Sequence, residues 1–328
     1  IDVMGGIADY SGSLVLHMPI RERTTAWVAQ REDGNIRVRS QAAESIGREW
    51  VVEVPLHSLL QAAPSNDCDT YDAARANLSQ SQGGDWAAYA IGCYLVLWKE
   101  KNIPLCGADI FVQSDVPIGK GVSSSAAIEV AVMTALAKLF RVVVGDTELP
   151  TLAQRVENRI VGAPCGIMDQ LASYLGRENK LLPILCQPSI IYEPVDIPEP
   201  VHFVGIDSGV RHAVSGASYS DVRVAAFMGY SIIARQEGAS LEDIMRAKQN
   251  GNASSLPFSG YLANIDLSLF ESRFWNQLPE RMSGRDFLER YGDTIDPITS
   301  IEADKEYAVS VCTAHPVFEN HRVNSFAH

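Results

Sequence analysis

The segment PIGKGVSSSAA, residues 117–127, joins a glycine-containing loop to an alanine-rich helix through three consecutive serines. Gly119 and Gly121 permit backbone conformations that turn several N–H groups toward one point. The helix that follows adds the partial positive charge and the unpaired N–H donors of its first turn. The serine hydroxyls are suited to phosphate oxygens or a metal ion. The segment therefore predicts an anion-binding cradle at the start of a helix over residues 124–140.

A core helix capped by serine is the plainer interpretation of the same segment. It accounts for one serine, since serine is a common N-cap residue. It does not account for two glycines, Lys120 and a run of three serines before an apolar helix. The spacing also differs from the Walker A loop, and no G-x-G-x-x-G follows a strand elsewhere in the chain.

Two carboxylates lie in the segment VENRIVGAPCGIMDQLAS, residues 156–173. Glu157 is expected on a helix over residues 152–161, from which its carboxylate could reach a metal ion held at the serines. Asp169 follows the turn at Cys165 and Gly166 and begins a further helix. Asp169 either caps that helix or is a partly buried carboxylate able to accept a hydroxyl proton.

The stretch GGIADYSG, residues 5–12, holds Asp9 and Tyr10 just before an apolar strand over residues 14–20. Asp is common in turns, so Asp9 could simply reverse the chain. Glycines on both sides also allow a ligand to approach the backbone closely. The residues alone leave both interpretations open.

A third polar segment, GIDSGVRHAVSGASYSDVR, spans residues 205–223 at the predicted end of a strand over 202–209. It groups Asp207, Ser208, Arg211, His212 and Tyr219. A Ser-His-Asp hydrolase is conceivable from such a group, but no G-x-S-x-G elbow is present, and proximity in sequence does not make a triad.

Composition excludes some classes of partner. The 328 residues carry a formal charge of −13, which argues against a nucleic-acid or anionic-membrane surface. No apolar run is long enough to span a bilayer, and no signal peptide is visible. The six cysteines are scattered without a CxxC pair, as is typical of reduced thiols in a cytoplasmic protein.

The remaining pattern predicts a mixture of helices and strands. The first forty residues indicate a β-hairpin region made of LVLHMPI, AWVAQ and NIRVR, and residues 85–101 indicate a helix. Short strands are expected over 108–113, 180–186 and 190–195. A long helix is expected over 218–236, followed by short helices to the end of the chain.

The four motifs GGIADYSGSLVL, KGVSSSA, VENRIVGAPCG-MDQ and IDSGVRH, in this order, resemble the sugar kinases of the GHMP superfamily, in particular galactokinases and plant-type L-arabinokinases. The resemblance covers nearly the whole chain. It implies an α+β fold of two lobes with the active site between them, assigned here to residues 1–180 and 181–328. It also implies ATP-dependent phosphorylation of the anomeric hydroxyl of a small sugar, with L-arabinose favoured over galactose. A catalytically silent sugar- and ATP-binding regulator is the alternative of another class.

The same resemblance implies roles for individual residues. Asp169 would be the catalytic base or would orient the sugar, and Mg²⁺ would be held by Ser124 and Glu157. Sugar-binding residues would be Asp9, Tyr10, Gly166 and Tyr219. Nucleotide-binding residues would be Pro117, Gly119, Lys120, Gly121, Ser123, Ser124 and Ser125.

The chain departs from the family pattern at three places. Galactokinases carry GEHTDY where this chain has GGIADY, and their Glu and His lie around the C6 hydroxymethyl group of the sugar, where Gly6 and Ile7 stand here. The family's Arg would immediately precede Ile1, and its C-terminal glycine-rich motif would fall beyond His328. We therefore expect a fragment of a longer protein, and the sequence leaves open whether a fused region precedes this one, as it does in plant relatives.

Overall fold

The computed structural model describes residues 1–45, 47–61, 70–207, 209 and 217–327. Its strands are β1 (Asp2–Met4), β2 (Leu14–His17), β3 (Thr24–Gln30), β4 (Asn35–Ser40), β5 (Val51–Pro55), β6 (Ala108–Ser114), β7 (Lys180–Leu185), β8 (Ile190–Ile191), β9 (Val195–Asp196), β10 (Met282–Ser283) and β11 (Glu306–Tyr307). Its helices are α1 (Gln41–Ser45), α2 (Leu56–Leu60), α3 (Thr70–Gln80), α4 (Gly84–Lys101), α5 (Ser124–Leu139), α6 (Glu148–Arg155), α7 (Met168–Leu175), α8 (Ala217–Gln236), α9 (Leu241–Asn250), α10 (Leu267–Leu269), α11 (Gly284–Tyr291) and α12 (Val309–Ala327).

The chain divides into two compact units. The first holds Ile1 with the described residues of Pro19–Glu178 and Pro198–Ala213, and the second holds Asp2–Met18, Asn179–Ile197 and the described residues of Val214–His328. The first strands belong to the second unit because β2 pairs with β7 along its whole length. A single division at residue 180 therefore does not describe the packing of β1 and β2, and the assignment of two lobes along the chain stays a prediction.

The first unit is built on a four-stranded sheet in the order β3-β6-β4-β5. Strand β4 alternates buried and half-buried residues, with Ile36 and Val38 facing the core. Helix α4 is buried from Ala90 to Leu97 without a polar face, and α5 packs beside it. This packing fixes α5 in the core while the loop before it stays at the surface.

The expected hairpin region of the first forty residues is wrong. Strand β2 lies in the sheet of the second unit, whereas β3 pairs antiparallel with β6. Strand β6 lies between β3 and β4 in the sheet, and it runs parallel to β4. These pairings join strands about 70 or more residues apart in the chain, so local turn signals do not reveal them.

The second unit joins a sheet in the order β1-β2-β7-β8, with β9 also on β7, to a helical core around α8 and α12. Gly229 of α8 allows the two helices to touch, since a Cβ there would lie 1.7 Å from Thr313 Oγ1 of α12. The strand expected over 202–209 is absent from its described part, because residues 202–207 are exposed and unpaired with any sheet. Helix α12 is longer than the short C-terminal helices expected from the sequence.

Candidate functional site

The loop before α5 has the backbone that an anion cradle requires. Gly119, Gly121 and Ser123 all have positive φ, at 68°, 71° and 60°. Ser123 occupies the N-cap position of α5, but its side chain makes no capping hydrogen bond to the described residues. The serine-capped interpretation is therefore not supported, because the Ser123 side chain does not bond to the N–H donors of the first turn of α5.

Lys120 brings a positive charge to this loop. Its Nζ lies 2.8 Å from the Asp207 Oδ2 atom, and both side chains are partly exposed. The ammonium ion lowers the pKa of the Asp207 carboxyl below its ordinary value. An exposed ion pair is weak in water, so breaking the Lys120–Asp207 pair to bind a phosphate would cost little free energy.

Glu157 lies in a π-helical turn, Val156–Val161, that extends α6. Such turns are rare and often occur at functional sites, because the extra residue redirects the side chains. The Glu157 carboxylate is 2% exposed, and burial raises its pKa to about 7. Hydrogen bonds from Ser125 and Cys165 act against that rise, while the neighbouring Asp169 adds to it. Glu157 therefore lies at the serine end of α5, as expected, and its hydrogen-bonded serine is Ser125.

Two buried residues that the sequence interpretation missed complete this cluster. Gln170 Nε2 donates to Glu157 Oε2 at 2.9 Å and to Glu129 Oε2 at 3.1 Å. Glu129 and Gln170 are both fully buried. Burial and then the nearby Glu157 raise the pKa of Glu129 well above its ordinary value. The signal for Glu129 was its position as an acid inside the apolar helix SSAAIEVAVMTALAKL.

Asp169 is the second residue of α7 and is half-buried. The N-cap position belongs to Ile167, so Asp169 does not cap the helix in the ordinary way. Its charge lies close enough to Glu157 to raise the pKa of that carboxyl. Gly166, in the turn before α7, is half-buried beside the buried Cys165. The first unit thus gathers three carboxyl groups at the start of α5 and α7.

The second unit holds the other predicted residues. Asp9 and Tyr10 lie in a single helical turn, Asp9–Ser11, and are 3% and 9% exposed. The Tyr10 ring meets the Tyr219 ring edge-on at 6.3 Å between centroids. The buried Asp9 carboxylate interacts electrostatically with Arg223, so Asp9 does more than reverse the chain.

A buried ion pair that the sequence interpretation missed supports these rings. The Arg223 Nε and Nη2 atoms each donate to the Asp296 carboxylate at 2.8 Å. Arg223 also lies 5.5 Å from the centroid of the Tyr10 ring and 5.6 Å from that of Phe227. Burial and the adjacent Asp9 raise the pKa of the Tyr10 hydroxyl, which stays neutral and able to donate a hydrogen bond.

The third polar segment does not act as one group. Asp207 contacts Lys120 in the first unit, whereas Tyr219 contacts Tyr10 in the second. Ser208, Arg211 and His212 lie outside the described residues. Over the described ranges, no three His, Cys, Asp or Glu side chains form a cluster suited to a metal ion, and no helix is long and apolar enough to cross a membrane.

Comparison with known proteins decides the family. Residues 88–177 match the family of GHMP kinases N terminal domain. The chain is 40% identical, over 99% of its length, to L-arabinokinase of Arabidopsis thaliana. The chain contains a GHMP kinase N-terminal domain. It spans 34% of the Arabidopsis protein and 60% of a Chloroflexus aurantiacus galactokinase, to which it is 30% identical over 81% of its own length.

The GHMP kinase fold is confirmed by a solved structure. A Lactococcus lactis galactokinase complexed with galactose superimposes with a TM-score of 0.64 at 19% identity, covering 99% of this chain and 66% of that one. The fold class expected from the motifs, an α+β GHMP kinase, is therefore correct. The predicted loop and carboxylates at residues 117–125, 157 and 169 fall within or beside the part that matches the GHMP family.

Proposed function

We propose that this chain is the kinase part of a cytoplasmic sugar 1-kinase that uses ATP and Mg²⁺ to phosphorylate L-arabinose. The observation that carries the proposal is the open loop before α5 with Glu157 and Asp169 beside it. Similarity to an L-arabinokinase supports the substrate, and the five cysteines of the described ranges, none of which forms a disulfide there, support a reducing compartment. The net charge of −13 argues against a broad nucleic-acid surface.

The donor set suits Mg²⁺, which prefers hard oxygen ligands and keeps several waters. Glu157 supplies a carboxylate and Ser124 a hydroxyl, and the raised pKa of Glu157 marks a site where a cation would stabilise the charged form. When bound, the ion would neutralise charge on the transferred phosphoryl group. The loop N–H groups and Lys120 would hold the remaining phosphate oxygens.

Asp169 would accept the proton of the anomeric hydroxyl as that oxygen attacks the γ-phosphorus atom. Asp9, Tyr10, Gly166 and Tyr219 would bind the sugar, with Asp9 accepting hydrogen bonds from ring hydroxyls. Galactose is the second candidate substrate, because relatives and the superimposable structure are galactokinases.

The loop sequence favours a pentose. Gly6 and Ile7 offer no polar side chain to a C6 hydroxymethyl group, and a Cβ at Gly6 would lie 2.6 Å from Asp2 Oδ2. A side chain there would therefore have to displace Asp2. Discrimination against a merely added group is modest, about 10- to 200-fold. We expect kcat/KM for L-arabinose to exceed that for D-galactose within this range.

The test compares both sugars with the same full-length natural protein, ATP and Mg²⁺. Asp9→Asn serves as the matched variant and should lower kcat/KM for both sugars alike, because they share their ring hydroxyls. Equal efficiencies, or a preference for galactose, would contradict the pentose assignment and leave a sugar kinase. Binding of sugar and ATP without phosphoryl transfer would instead indicate a silent regulator.

A further inference from the structure

One amide group links three elements of the first unit. Gln170 on α7 donates from Nε2 to Glu157 in the π-helical turn and to Glu129 on α5, at 2.9 and 3.1 Å. A primary amide has two hydrogens on this nitrogen, so each carboxyl group takes one. The amide thus fixes the Glu157 carboxyl relative to the helix that begins at the serines.

In a purely structural network, every buried polar atom would have a hydrogen-bond partner. Here the Glu129 Oε1 and Gln170 Oε1 atoms are buried and have no hydrogen-bond partner within the described residues. Buried polar atoms are nearly always partnered, and exceptions tend to have a functional reason. An apolar pair at positions 129 and 170 would fill the same core without this cost. We therefore attribute the presence of these two polar residues in the core to the orientation that the Gln170 amide gives the Glu157 carboxyl.

We propose that Gln170 is a positioning residue for Mg²⁺-dependent nucleotide binding, and that Glu129 is the anchor that orients its amide. This inference rests on the proposed function. Gln170 holds the Glu157 carboxyl in the orientation that a metal ion needs, and Glu129 prevents the amide from rotating away.

The decisive variant is Gln170→Met, which keeps the volume and removes both donors. We expect Mg²⁺-dependent binding of a non-hydrolysable ATP analogue, measured by calorimetry, to weaken about 10- to 100-fold, the usual effect of losing an outer partner of a metal ligand. The KM for the sugar should stay within about twofold of that of the unmodified protein. Gln154→Met is the matched control: its amide donates to the Cys165 carbonyl and to neither carboxyl group, so the Mg²⁺ dependence should not change.

Variants at Glu129 separate positioning from packing. Glu129→Gln keeps an acceptor oxygen and should retain nucleotide binding, whereas Glu129→Met removes the acceptor and should reproduce part of the Gln170→Met loss. A cooperative thermal unfolding transition is the criterion that each variant is folded. If Gln170→Met does not fold, Gln170→Asn decides, because it keeps the amide but withdraws it from both carboxyl groups.

A folded Gln170→Met protein with unchanged Mg²⁺ dependence would overturn the inference, and so would an unchanged Gln170→Asn protein where Gln170→Met does not fold. Equal loss in Glu129→Gln and Glu129→Met would overturn the anchor role. Failure of the proposed function looks different: the unmodified protein would bind nucleotide with Mg²⁺ and phosphorylate no sugar.

Discussion

Removing the charge of Glu157 should make the metal-free protein more stable at alkaline pH. The pKa of Glu157 rises from 4.5 to about 7 on folding, chiefly because the carboxyl is buried. The folded state therefore holds this proton more tightly than the unfolded state, and stability falls as pH rises from 4.5 through 7. At about 1.4 kcal/mol per pKa unit, the loss is on the order of 3 kcal/mol. Glu157→Gln carries no such loss.

The assay is urea denaturation at 25 °C with a chelator present, at several values between pH 4.5 and pH 8. Glu157→Gln should exceed the unmodified protein in free energy of unfolding by about 3 kcal/mol at pH 8, with the gap closing toward pH 4.5. Glu148→Gln is a control of opposite sign. Lys101 lowers the pKa of Glu148, so the small contribution of the Glu148 carboxylate to the free energy of unfolding is lost as pH falls. Parallel stability curves for Glu157→Gln and the unmodified protein would refute the reasoning.

Two further outcomes concern the other parts of the site. Asp169→Asn should keep the fold and nucleotide binding but lower turnover at saturating sugar by about two to four decades, the usual effect of losing a positioned base; near-full turnover would exclude that role. Asp296→Leu removes the carboxylate that accepts two hydrogen bonds from the buried Arg223, so urea denaturation should show a loss of about 3–5 kcal/mol. Arg223→Met combined with Asp296→Leu should recover most of that loss, and a double variant no more stable than Asp296→Leu would argue against a buried charge as the cause.

The sequence predicted those features of the site that depend on local chemistry. The loop at residues 117–123 and the start of α5 at Ser124 follow from glycine conformations and helix termini, and both are present. Glu157 was singled out because a helix would bring its carboxylate within reach of the serines, and Asp169 because it follows the turn at Cys165 and Gly166. Their neighbour Gln170 was missed, since an amide in a helix is ordinary until its two acceptors are known.

Long-range pairing explains most errors in the fold. Strand β3 was placed beside β2 by proximity in the chain, yet its partner β6 lies about 80 residues away. The π-helical turn at Val156–Val161 was expected as ordinary helix, because one extra residue per turn leaves no mark in the hydrophobic period. Arg223 was hidden for a similar reason: only the buried Asp296, far along the chain, reveals its role.

The attachment of the first residues to the last helix has a consequence for protein synthesis. Gly5 N and Leu14 N donate to Glu319 and Asn320 of α12, and the Gly6 carbonyl meets His315. At about 5–20 residues per second, a ribosome needs roughly 15–60 s to deliver those partners. Until then Leu14 and Leu16 of β2 lack the cover of α12, and the pairing strand β7 is synthesised only about halfway through this interval. The nascent chain therefore offers chaperones an early binding segment, and the turn that holds Asp9 is among the last parts of the protein to form.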